Sequence, residues 1–281
     1  MGMILGNSGL GKTRLADFYV SQNPRVLGNV ADKIPVLLVR CPTRFSESGF
    51  YASILCALGA HVQTGVNANR LKFRLQELLL QHEVEIVLID EIQDGIPQSG
   101  VKDRSQIIKS LKFLTDETDC AVLMLGICTA GTLYQHEEQI RSRCRNPFFL
   151  QPFGYTTKED KTYWLQFLLR IFMDIRVPIP NSMDFGDRLM TATRGDLRNL
   201  ERLIADLMHL YPDVPSTAEE TTGALARVWS TCYYSSGTSQ PNPFELDMVA
   251  VKDRLTQLNS ALQTAGAPQH GNIDGHSRAR S

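Results

Sequence analysis

The sequence has no apolar run approaching the roughly 18 residues that a membrane-spanning helix needs, and its first residues do not follow the charged-then-apolar plan of a signal peptide. A cytoplasmic protein with no membrane role is therefore expected. CxxC pairs are lacking, and none of the six cysteines (41, 56, 120, 128, 144 and 232) has a histidine near it at zinc-binding spacing. The thiols are read as reduced and structural. Those inside apolar runs, such as Cys56 within 54–58, are expected to behave as small buried hydrophobes. An excess of charge is lacking as well: 29 Lys and Arg against 30 Asp and Glu leave a net charge of −1. That excludes a protein that coats nucleic acid through global basicity, but it leaves room for a local basic rim. Internal repeats are absent.

What is present is 281 residues with 43% hydrophobic content, enough for a sizeable core in one large domain or a large one with a small companion. Residues 13–22, 50–58, 69–82 and 105–118 read as helices; in the last, apolar residues recur at 107, 108, 111 and 114. Between them, 34–40, 85–89 and 121–125 are short apolar runs of the kind that form buried strands, and 148–150 is a candidate fourth. This alternation predicts an α/β fold: a doubly wound, mostly parallel sheet with helices on both faces. From 158 onward strand signals vanish, and 158–175, 182–193, 197–210 and 221–234 suit helices. The expected organisation is an α/β domain over 1–150 and a small helical lid over 151–236. A linker and terminal helix follow over 237–264, then a disordered tail over 265–281. Only five residues precede the first glycine-rich loop, which normally follows a buried strand. Either that strand is very short or the chain is a truncated form, and truncation is the preferred reading.

The chemistry begins at 6–13, GNSGLGKT, which matches G-x-x-x-x-G-K-[ST] at every fixed position. In such a loop (Gly6, Asn7, Ser8, Gly9, Leu10, Gly11) glycines let backbone N–H groups turn inward around phosphate oxygens. Lys12 supplies a point charge to the β- and γ-phosphates, Thr13 a hydroxyl to Mg²⁺, and Arg14 lies beside them at the start of a helix whose positive end faces the same anion. The second element is IVLIDEIQD, which sets Asp90 and Glu91 at the mouth of a buried strand, where doubly wound sheets hold ligands. Asp90 is expected to hold the metal's water shell and Glu91 to polarise the attacking water. Together these two elements predict a P-loop ATPase with ATP and Mg²⁺ as its ligands.

Weaker signals fit the same machine. Thr129 or Cys128, in GICT after the third strand, would stand near the γ-phosphate as a sensor. Arg141, Arg143 and Arg145 alternate just before the last strand, where an arginine in an oligomer reaches a neighbour's nucleotide. In the helical region Arg198 opens a helix, with Arg194 as its rival for a γ-phosphate contact.

The order of phosphate loop, DE strand, sensor strand, arginine group and lid arginine resembles an AAA+ ATPase. The wording IDEIQ and GNSGLGKT resembles the TniB/TnsC family of transposition ATPases over about residues 1–210, with the phage Mu B protein a more distant relative. The resemblance implies ATP-dependent assembly into rings or filaments on duplex DNA, target selection, recruitment of a transposase, and disassembly on hydrolysis. It implies Arg143 or Arg145 as the arginine finger, and DNA contacts from Arg44, Ser48, Thr64, Arg70, Lys72 and Arg74. Family members usually carry an N-terminal region that helps to bind the adenine base or a partner, and the expected truncation would remove it here. The other readings weighed are a nucleotide-switched adaptor with little turnover and a helicase-loader or origin-recognition type of AAA+ ATPase.

Overall fold

Five short parallel strands, β1 (Gly2–Leu5), β2 (Val36–Arg40), β3 (Ile86–Asp90), β4 (Ala121–Gly126) and β5 (Phe148–Phe149), form one sheet in the order β2-β3-β4-β1-β5 in this computed structural model. The structure describes residues 1–28, 31–63, 65–96, 101–233 and 241–266, with 101–103, 233 and 261–266 given by backbone alone. The α/β class and the parallel sheet are as the alternating pattern predicts. β2 starts two residues later than its apolar run because Pro35 has no N–H to give a ladder; its carbonyl instead accepts from Glu85 and Ile86.

Side chains alternate strictly across the sheet. Met3, Leu5, Leu37, Val39, Val87, Ile89, Val122 and Met124 point to one face and bury against helices α2 (Glu47–Ala57), α3 (Ala68–Gln81), α4 (Val101–Asp116), α5 (Gly131–His136) and α6 (Glu138–Arg141). The opposite face, with Val36, Leu88 and Leu125, packs on Ala16 and Val20 of α1 (Lys12–Gln22). α2 begins earlier than its apolar residues indicate, because Ser46 caps it by accepting from Gly49 N at 3.1 Å and Glu47 favours the first turn. Cys56 departs from expectation: Ile54, Leu55 and Leu58 turn to the core, and helical spacing turns Cys56 out to solvent.

The chain divides at Leu150, and the second unit, Gln151–Ser281, is helical. It contains α7 (Lys158–Asp174), α8 (Met183–Thr193), α9 (Leu197–Leu210), α10 (Ala218–Val228) with a π-turn over Trp229–Tyr233, and α11 (Met248–Gly266). Trp164, Leu168 and Phe172 of α7 pack with Phe185, Leu189 and Met190 of α8 and with Leu200, Leu203 and Leu207 of α9. The spacing within each set is that of one helical face. A capping box at Thr157 and Asp160 opens α7. Residues 267–281, the greater part of the expected disordered tail, and 237–240 of the expected linker lie outside the described residues.

Candidate nucleotide-binding site

β1 leads by α1 to the far edge of the sheet, whereas β4 leads by α5 and α6 to the other edge, so neighbouring strands send their connections in opposite directions. Such a switch point opens a crevice at the carboxyl ends of the strands. The glycine-rich loop after β1 and the loop after β4 lie side by side there: Gly6 N donates to Gly126 O at 3.1 Å, and the Cys128 thiol reaches Asn7 Oδ1 at 3.7 Å. Gly9 and Gly11 have φ of 89° and 83°, a left-handed conformation that disfavours side chains with a Cβ. That conformation turns the loop into the start of α1. α1 has no side-chain cap and no acidic residue in its first turn, so its N-terminal amides and dipole face the loop without an internal anion.

Lys12 is 7% exposed, and its ammonium donates to Gly6 O at 2.9 Å and Asn7 O at 2.8 Å. Both acceptors are main-chain carbonyls of the loop, so the ammonium is held over it. The Thr13 hydroxyl donates to Asp90 Oδ2 at 2.7 Å, linking the loop to the end of β3 across 77 residues of sequence. Asp90 is itself 7% exposed, and its Oδ1 accepts Glu91 N at 2.9 Å. Glu91 adopts φ 53°, ψ 43°, a left-handed conformation rare for a residue with a side chain. A 3₁₀ turn over Ile92–Gly95 holds it there, anchored by the fully buried Ile92 and by Asp94 N donating to Glu91 O at 2.9 Å. Gln93 Nε2 donates to the Glu91 carboxylate.

Among the described residues no group of three or more His, Cys, Asp or Glu is placed to hold a metal. Magnesium does not need one: it takes one or two protein oxygens and completes its shell from phosphates and water. The all-oxygen pair Thr13 and Asp90, 2.7 Å apart beside the phosphate loop, is the donor set that suits it.

The remaining expected residues are distributed as follows. Thr129 lines a cavity of about 1020 Å³ together with Gln93, Ile127, Arg44 and Arg104. Arg143 makes a two-pronged pair with Asp116, Nε to Oδ1 and Nη2 to Oδ2, both at 2.9 Å; the guanidinium holds that carboxyl below its ordinary range. Arg141 and Arg145 are exposed, and the side chain of Arg145 has no partner among the described residues. Lys72 pairs with Glu117 at 2.6 Å and lies over the Phe113 ring, and Arg74 donates to His61 O at 3.0 Å. Arg44 and Arg70 are exposed, Ser48 is half-buried, and Thr64 lies outside the described residues. In the second unit Arg198 is exposed in the first turn of α9, which Asp196 caps, and Arg194 ends α8 at φ 57°. Sequence reasoning missed Gln93, although its place two residues beyond Glu91 was the available signal.

A family model described as the bacterial TniB protein matches residues 1–155, more than half of the chain. The chain belongs to the TniB family. No curated protein matches it. Among solved structures it is similar to the Aeropyrum pernix ORC2 protein in its ADPNP–ADP complexes, with a TM-score of 0.56 and 14% identity over 80% of this chain and 61% of that one. It is also similar to the Aeropyrum pernix ORC1 protein in complex with DNA, with a TM-score of 0.52 and 16% identity over 94% of this chain and 77% of that one. The chain thus spans less than two thirds of the ORC2 chain. At these identities the likeness concerns the fold, which is that of the AAA+ ATPases. Among the described residues no helix is long and apolar enough to cross a membrane.

Proposed function

We propose that this TniB-family chain is an ATP hydrolase that assembles as a homo-oligomer on duplex DNA. There it would select a transposition target, recruit a transposase and its targeting proteins, and disassemble on hydrolysis. The observation that carries the reading is the 2.7 Å bond from Thr13 to Asp90, which brings the phosphate loop and the acidic strand end into one crevice. The loop amides from Gly6 to Gly11 and the start of α1 bind phosphate oxygens, and Lys12 offsets the charge of the β- and γ-phosphates. Thr13 and Asp90 would hold magnesium, which when bound neutralises charge building on the phosphoryl oxygens. Glu91 accepts the proton of the attacking water, and Thr129 or Cys128 reads the γ-phosphate.

The arginine finger falls to Arg145 in preference to Arg143, because Arg143 would first have to leave both oxygens of Asp116. For DNA, Arg44 and Arg70 are the main phosphate contacts, since Lys72 and Arg74 already have partners on this chain. Such contacts position a protein without reading sequence. The test combines ATP turnover with and without duplex DNA and electron microscopy of Glu91→Gln with ATP. DNA-stimulated turnover in the wild type and persistent rings or filaments of the variant support the proposal. A monomer indifferent to DNA refutes it, and tight ATP binding without turnover in the wild type would assign the chain to the switched adaptors.

A further inference from the structure

Gln93 is bonded at both ends of its amide. Nε2 donates to Glu91 Oε2, and Oε1 accepts the N–H of Ile127 at 3.1 Å. Ile127 follows the last residue of β4 and immediately precedes Cys128 and Thr129, the two candidate sensors. One side chain therefore spans from the carboxylate beside the crevice to the main chain of the loop that faces it. Its own backbone is fixed within the 3₁₀ turn, where its carbonyl accepts Ile96 N at 3.1 Å. Room for it comes from Gly126: a Cβ there would lie 2.7 Å from Gln93 Oε1 and 2.7 Å from Ile92 Cγ2, closer than packed atoms tolerate.

We propose that Gln93 is a positioning residue that couples the sensor loop to Glu91, so that the placement of that loop sets whether the carboxylate faces the attacking water. The proposal rests on the reading of Glu91 as the base. An amide suits the task chemically. Its NH₂ group holds a charged carboxylate, its carbonyl takes a main-chain N–H, and it does not itself titrate. A glutamate of the same shape keeps the acceptor for Ile127 but loses the donor and sets a second negative charge against Glu91. A methionine keeps the bulk and loses both bonds.

The experiment measures kcat and ATP affinity for Gln93→Glu, Gln93→Met, Glu91→Gln and the double variant Glu91→Gln/Gln93→Met. A general base contributes about 10²- to 10⁴-fold, so losing its alignment is expected to lower kcat by about 10- to 100-fold in both Gln93 variants. ATP affinity should stay within about twofold, as for a group whose effect is confined to the chemical step. The double variant should be no slower than Glu91→Gln alone, because both changes disable one unit. If Glu91→Gln is inactive while Gln93→Glu turns over normally, the coupling is wrong and the base stands. If Glu91→Gln turns over normally, the base assignment fails and the coupling falls with it. A double variant slowed by the product of the single effects, or a loss of ATP affinity parallel to the loss of kcat, would show that Gln93 acts apart from Glu91 or merely supports the fold; either result overturns the proposal.

Discussion

The backbone at Glu91 stores strain whose size can be worked out and measured. A residue with a Cβ at φ 53°, ψ 43° costs about 1–2 kcal/mol relative to the right-handed region, whereas glycine sits there freely. Against that, glycine carries about 0.4–1 kcal/mol more entropy in the unfolded chain. Glu91→Ala and Glu91→Gly both remove the carboxylate, so their difference isolates the backbone. The glycine variant should be the more stable by about 1 kcal/mol, roughly a fivefold shift in the unfolding equilibrium. Both tryptophans, Trp164 and Trp229, belong to the second unit, so their fluorescence follows that unit alone. Amide hydrogen exchange of β3 reports on the first unit, and protection there should fall in the order Glu91→Gly above Glu91→Ala while neither variant turns over ATP. Equal protection, or greater protection in the alanine variant, would refute the claim that function holds this residue in an unfavourable conformation.

Three further outcomes are expected. In the second unit the Tyr155 hydroxyl donates to the buried Asp187 at 2.6 Å, and burial raises the Tyr155 pKa above its ordinary value. Tyr155→Phe should cost about 1–3 kcal/mol in urea unfolding followed by tryptophan fluorescence; an unchanged midpoint would show that the bond contributes nothing. Burial and the nearby charge of Asp94 push the Cys41 thiol up to about 12, whereas Cys56 and Cys128 are exposed. A thiol with a raised pKa has almost no thiolate at pH 8, so mass mapping after alkylation should find Cys56 and Cys128 modified and Cys41 spared, with ATP slowing the reaction at Cys128. Rapid labelling of Cys41 in the folded protein would contradict the described core. Arg44→Ala and Arg70→Ala should each weaken duplex DNA binding and lower the salt slope by about 1, which a titration across ionic strength reads directly. An unchanged slope removes that residue from the DNA contacts.

The sheet, the later helices and the glycine-rich loop after the first strand were legible because each rests on a local pattern. Apolar runs of strand length, helical periodicity and a fixed-spacing motif all announce themselves within about ten residues. What stayed hidden depends on distance through space. Nothing near Arg143 indicates that Asp116, 27 residues earlier, will take both prongs of its guanidinium. Cys56 sits in an apolar run yet faces solvent, since composition carries no information about which side of a helix a residue occupies. Gln93 looks like an ordinary polar residue after DE until β4 brings Ile127 against it. The short helices α5 and α6 are too brief to show periodicity, and the left-handed conformation of Glu91 goes against the local preference of a residue with a side chain.

Whether Lys12 and the acidic strand end act upon a single triphosphate is tested by equilibrium binding of ATP in magnesium to the wild type and to Lys12→Ala. The wild type should bind ATP, and the variant should bind at least about 100-fold more weakly, the loss expected when a buried charge-assisted contact to phosphate is removed. Equal affinity of the two proteins for ATP would contradict a phosphate-binding role for Lys12.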